Sequence, residues 1–154
     1  MYTSAETYDP ASGTFRHVGD MLARRHKHDV GLLRDGRVLI TGGADERDRG
    51  GYRTTALFEP RTGVFTAGPD LQRPRYKHQG TGVLLPNGQV LLAGGAPDAE
   101  TYEPGSRTFT IVVGDVRMAG QFSAVAPLKG GGALVTGGYG NGTGPRAAAW
   151  VFRP

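Results

Sequence analysis

No cysteine occurs in the chain. Disulfides and thiolate metal sites are therefore excluded, while the compartment is left open. No apolar run approaches the length of a membrane-spanning helix, so no membrane partner is expected. The opening MYTSAETYDP has neither a basic start nor an apolar segment, so no secretory signal is expected within it. Sustained helical periodicity is missing too. Charge of neither sign dominates, the formal net charge being +4. Nucleophile elbow, phosphate-binding glycine loop and histidine-rich zinc motif are all lacking. No catalytic residue, metal ligand set or cofactor is therefore assigned.

What the chain has in quantity is glycine and proline, twenty-six and ten among 154 residues. That is too many for helical packing and suits many tight turns. They fall in repeated phrases. LLRDGRVLITGG, from Leu32 to Gly43, returns as LLPNGQVLLAGG from Leu84 and more loosely as PLKGGGALVTGG from Pro127. Asp35-Gly36 and Asn87-Gly88 read as tight two-residue hairpin turns with positive φ at both positions. Val38, Leu39 and Ile40 favour a buried second strand. A second phrase runs out of phase: TYDPASGTF from Thr7, LFEPRTGVF from Leu57, TYEPGSRTF from Thr101, and VFRP at the end. Its aromatic-to-Phe spacing is constant, and Gly13 or Gly63 can take a left-handed position after the proline turn. Arg107 occupies that place in the third copy, so a distorted turn is expected there.

Fixed-period self-similarity at roughly fifty residues marks a propeller or solenoid. On the diglycines Gly42-Gly43, Gly94-Gly95 and Gly137-Gly138, the aromatic-x-Pro strands and the later aromatic, the chain resembles the kelch repeat family. Phe15, Phe65 and Phe109 stand where kelch units commonly carry Trp. The resemblance implies an all-β fold: a kelch-like β-propeller segment of about three four-stranded antiparallel blades, spanning 1–154. Its repeat units run approximately 11–60, 61–104 and 105–154, with an extra strand at 2–10. Strand bookkeeping gives an opening outer pair, two full blades from His28 and from His78, and a closing blade of three strands. The expectation is either self-association into a six-bladed ring, the opening strand of one copy completing the last blade of another, or a segment of a longer propeller.

Connectivity sorts the loops. The short repeated turns lie at one end of each four-stranded meander. The other end carries ARRHKH, ADERDRGGYR, RPRYKH and YGNGTGPR, which differ in length and content. Variable loops on a repeated scaffold are where binding usually resides. These loops hold most of the positive charge. The candidate binding residues are Arg24, Arg25, Lys27, Arg49, Tyr52, Arg53, Arg73, Arg75, Tyr76, Lys77, His78, Arg117, Tyr139 and Arg146. Guanidinium groups grip carboxylate or phosphate in two-pronged fashion. The expected partner is a protein or an anionic small-molecule or carbohydrate ligand. Nucleic acid is disfavoured, since no recognition motif accompanies the modest charge.

Other clusters read as structural. His78 is set against His26, and Gly80 and Ser123 against His28. Glu6 and Glu100, at equivalent strand positions, are expected on the surface, and the repeated aromatics in the core. Asn141-Gly142-Thr143 is a glycosylation sequon that matters only in a glycosylating host. The enzymatic alternative is a sugar-active propeller resembling galactose-oxidase-like oxidases or sialic-acid epimerases, its site completed by further sequence or a second chain. The oxidase chemistry needs a cysteine cross-linked to tyrosine, and the chain has no cysteine.

Overall fold

A computed structural model describes residues 2–114, 120–140 and 144–154. It contains strands and no helix among these residues. In chain order they are β1 (Ser4–Asp9), β2 (Thr14–Asp20), β3 (Asp29–Leu32), β4 (Val38–Thr41), β5 (Thr55–Glu59), β6 (Val64–Ala67) and β7 (Gly82–Leu84). There follow β8 (Val90–Leu92), β9 (Glu100–Glu103), β10 (Thr108–Ile111), β11 (Ala124–Pro127), β12 (Ala133–Thr136) and β13 (Ala149–Phe152). They pair antiparallel in four small open sheets: β1-β2, β3-β4-β5-β6, β7-β8-β9-β10 and β11-β12-β13. The strand count of each sheet is the one the repeated phrases imply.

Alternation within the central strands stacks the sheets. On β4, Leu39 faces the third sheet and joins Leu33, Leu57, Leu71, Val90, Leu92, Tyr102 and Phe109 in one core. Its neighbour Ile40 faces the other way, joining Ala56 and Phe58 with Val18 and Phe65 from the flanking hairpins. Val83, Leu91, Ala133 and Val135 build the equivalent layer between the third and fourth sheets. Each of the two inner sheets thus shares one apolar face with the sheet before it and one with the sheet after it. Period-two side chains buried on both faces explain the unbroken runs VLIT and VLL.

The hairpin turns differ from the two-residue form. Leu33 N–H donates to the Arg37 carbonyl at 2.8 Å, and Gly36 N–H donates to Leu33 at 3.1 Å. Gly36 has φ 88, while Asp35 is not among the positive-φ residues. The connection is a three-residue loop closed by a left-handed glycine, the next commonest hairpin solution. Asp35 serves the loop through its side chain, whose Oδ1 accepts the Arg37 amide at 3.0 Å. Asn87 does the same for Gln89 at 3.1 Å.

The aromatic-acid-Pro hairpins share one register, Asp9 opposite Thr14, Glu59 opposite Val64 and Glu103 opposite Thr108. In each, the acid accepts the amide two residues on: Ala11, Arg61 and Gly105. The third turn is not distorted, because Arg107 itself adopts φ 55 beside the 68 and 71 of its glycine counterparts.

Two expectations about side chains are corrected. Tyr102, Phe109 and Phe58 lie in the core, but Tyr8 and Phe15 are 55% and 68% exposed, since no sheet among the described residues covers their face. Glu100 is fully buried rather than on the surface, while Glu6 is exposed.

Candidate functional site

The segments entering β3, β7 and β11 and the loops leaving β4, β8 and β12 gather at one end of the stacked sheets. Backbone bonds knit them together. Lys77 N–H donates to the Lys27 carbonyl at 2.9 Å, and Phe122 N–H donates to Lys77 at 2.8 Å. Lys27, Lys77 and Phe122 share a left-handed conformation, with φ 54, 55 and 57. This aligns His28 with His78 and Ser123, and corrects the pairing of His78 with His26. The counterpart of His26 is Tyr76.

The diglycines make room for these segments. A Cβ on Gly42, at φ 61, would overlap the Arg75 carbonyl oxygen. One on Gly94 would lie 2.6 Å from Thr81 Cγ2. Gly94 is therefore required by its neighbour and not by its own φ.

The arginines divide by burial. Arg25 and Arg75 are 4% and 0% exposed. Arg25 donates to the carbonyls of Gly42 (2.7 Å) and Thr54 (3.0 Å) and to Thr54 Oγ1 at 3.2 Å. Arg75 donates to Gly94 at 2.7 Å, to the Asp98 carbonyl and to Glu100 Oε1 from Nη2 at 2.9 Å. Glu100 also accepts the amides of Gln72 and Arg73 at 2.8 and 3.0 Å. These two arginines fasten each loop to its own sheet. Arg73 pairs with Asp98 at 2.8 Å, and Arg53 donates to the Leu71 carbonyl at 2.7 Å. Tyr52 bridges to Arg75 and lies beneath the Arg25 guanidinium, 5.8 Å from ring to charge. Arg24, Arg49 and Arg146 are exposed. Arg117 and the Asn141 sequon lie outside the described residues.

His78 is fully buried, with Nε2 3.2 Å from Thr41 Oγ1. Burial, reinforced by the nearby Arg75 charge, lowers its pKa to about 3, so the ring is neutral at pH 7. Burial lowers the His28 pKa as well. Asp29 is a second internal anchor. Its carboxylate, 4% exposed, accepts the amides of Gly80, Thr81 and Gly82, where the chain leads into the next sheet, at 2.8, 3.1 and 2.7 Å.

The solvent-facing part of the cluster centres on Lys27, Lys77 and Asp48. Lys27 is paired with Asp48, and Lys77 Nζ lies 4.0 Å from the same carboxylate. Lys27 holds the Asp48 carboxyl below its ordinary range. His26 Nε2 is 2.9 Å from Asp48 Oδ1, close but not aligned as a hydrogen bond. Lys77 also donates to Gln121 Oε1 at 3.2 Å, and Gln121 Nε2 donates to the Tyr76 hydroxyl at 2.9 Å. Beside them Phe122 and Tyr139, 49% and 39% exposed, stand with ring centres 5.4 Å apart. Lys77 Nζ lies 4.9 Å from the Tyr76 ring centre and 5.9 Å from that of Phe122.

The structure thus brings Lys27, Tyr76, Lys77 and Tyr139 together. It puts Arg25, Arg75 and His78 beneath them as supports. Gln121 and Phe122 are absent from the sequence-derived set. Aligning HKH, YKH and QFS would have found them, since Phe122 takes the place of the two lysines. Among the described residues no three His, Asp or Glu side chains converge as metal ligands. A cleft of about 220 Å³ lies elsewhere, between the third and fourth sheets, lined mainly by apolar side chains such as Leu91, Val112 and Val135.

No protein-family model matches the chain, and no curated protein is similar enough to count as a match.

Proposed function

We infer that the chain is a kelch-like β-propeller segment that works as a binding module, taking an anionic ligand or an acidic protein partner at the loop end. The observation carrying this reading is the meeting of Lys27, Lys77, Tyr76, Gln121, Phe122 and Tyr139, drawn from three successive repeats. Two ammonium groups share the single Asp48 carboxylate there, so the cluster keeps an excess of positive charge. Exposed Arg24 and Arg49 come from loops on the same end and extend it. The paired rings of Phe122 and Tyr139 offer an apolar platform next to donors, an arrangement suited to a sugar acid or an acidic peptide. The face-to-face stacking of small antiparallel sheets supports the propeller reading, with each sheet as a blade. A sugar-active enzyme is the weaker reading, because Asp48 is tied up as an ionised partner of lysine and is unsuited to general-acid work.

Titration with a sugar acid and with its neutral parent sugar, followed by amide chemical shifts, tests the reading. The acid is expected to perturb residues around Lys77 and Phe122, and added salt should weaken it. Lys77→Glu should weaken binding by about tenfold or more, a loss of about 1.4 kcal/mol. Arg61→Glu, on a turn at the opposite end, should leave it unchanged. Equal losses from both changes would show that only net charge is sensed, and the choice of site would fail.

A further inference from the structure

Among the described residues the sheet stack has two uncovered faces, one at each end, and they match an interface the chain already makes within itself. In the interior, Tyr102 and Phe109 form a cross-strand pair with ring centres 4.8 Å apart. They share a core with Leu33, Leu39 and Leu57 of the preceding sheet. Leu39 and Leu57 are themselves cross-strand partners, and Leu33 opens the adjoining hairpin turn. The pair and the leucines act as plug and socket, and both aromatic rings are at most 4% exposed.

Each half recurs uncovered. Tyr8 and Phe15 are the same cross-strand pair on the first sheet, 5.0 Å apart and more than half exposed. On the last sheet Leu134 and Val151 are the cross-strand counterparts of Leu39 and Leu57. Leu128 opens the hairpin turn as Leu33 does, each donating its amide across the loop at 2.8 Å. Leu128 and Val151 are 38% and 48% exposed. The two halves lie at opposite ends of the stack, so one copy presents the plug where another presents the socket.

We propose that these faces are a docking surface for a second copy of the chain, with Tyr8 and Phe15 of one copy seated on Leu128, Leu134 and Val151 of the other. The contact is heterologous: different patches meet, as between successive sheets within the chain. It goes beyond the binding function inferred for the loop end and uses none of its residues. It also differs from exchange of an edge strand. Completing the last sheet with the opening hairpin of another copy would displace β1 or β13, because both carry the aromatic-x-Pro phrase. Face docking displaces neither strand and covers the exposed rings.

Light scattering on the full chain at about 50 μM tests the proposal. The expected mass is at least two copies of 16.3 kDa. Tyr8→Glu/Phe15→Glu removes the plug and Val151→Glu the socket. Each variant alone should run as a single copy with an unchanged β-type circular dichroism spectrum. Mixed, they should recover a one-to-one complex, because the intact plug of one meets the intact socket of the other. A wild-type chain that stays at 16.3 kDa overturns the proposal, as does a mixture of folded variants that fails to associate. Either result would give the faces to a different occupant.

Discussion

Arg75 and Glu100 are both fully buried, and their charges meet at 2.9 Å with no room for water between them. Removing one partner strands the other in a medium of low dielectric, which costs about 3–5 kcal/mol. Arg75→Ala and Glu100→Gln should each lower the denaturation midpoint strongly, and the double change should cost much less than the sum. Additive losses in urea melts would show that the two residues act separately. The equivalent Arg25 has Ala56 where Arg75 has Glu100, and it is held by carbonyls and a hydroxyl instead. His78 sets the response to acid. The unfolded chain takes up its proton near the ordinary 6.5, whereas the folded ring resists until about 3. Stability from this group is therefore complete above pH 6.5 and is lost as pH falls toward 3. Melting temperature should drop through that window, and His78→Gln should flatten the slope. An unchanged slope would mean that other groups govern the acid limb.

At the scale of strands and turns, Arg107 holds a left-handed conformation that glycine takes in the two sister hairpins. Such a conformation costs a side chain about 1–2 kcal/mol, and the greater chain entropy of glycine takes back about 0.5–1 kcal/mol, so Arg107→Gly should stabilise the chain by roughly 0.5–1 kcal/mol. The gain is reduced by whatever its bond to the Ala67 carbonyl, 3.1 Å, contributes. Thermal melts of the two chains decide the sign. These hairpins were legible in the sequence because turn chemistry is local: proline, an acid and glycine at fixed spacing specify a turn without any distant contact. At Asp35-Gly36 the sequence does not separate the two-residue form from the three-residue loop, which uses the same dipeptide in shifted register. Burial was not legible. Nothing near Arg75 in the chain reveals that Glu100, twenty-five residues on, waits for it inside. The spacing RPRYKH reads equally well as an exposed basic loop. Some of the loop-end cluster was likewise hidden, since Gln121 and Phe122 belong to it by position in the repeat and not by residue type.

For the molecule as a whole, the sheets are joined in series. Each apolar layer lies between two neighbours, so stability is expected to behave as a sum of sheet and interface contributions. The backbone links from Lys77 to Lys27 and from Phe122 to Lys77 each cross from one sheet to the next and belong to no strand ladder. Their amides are shielded only while neighbouring sheets stay together. Hydrogen exchange at these two positions therefore gauges the separation of sheets, independently of the fraying within any of them. Both amides should exchange more slowly than those of the exposed hairpin turns, and at similar rates if the stack opens cooperatively. Very different rates would mean that the seams between sheets open singly. A ligand that spanned Lys27, Lys77 and Phe122 would then act as a clasp, slowing both amides together and tightening the molecule along its length.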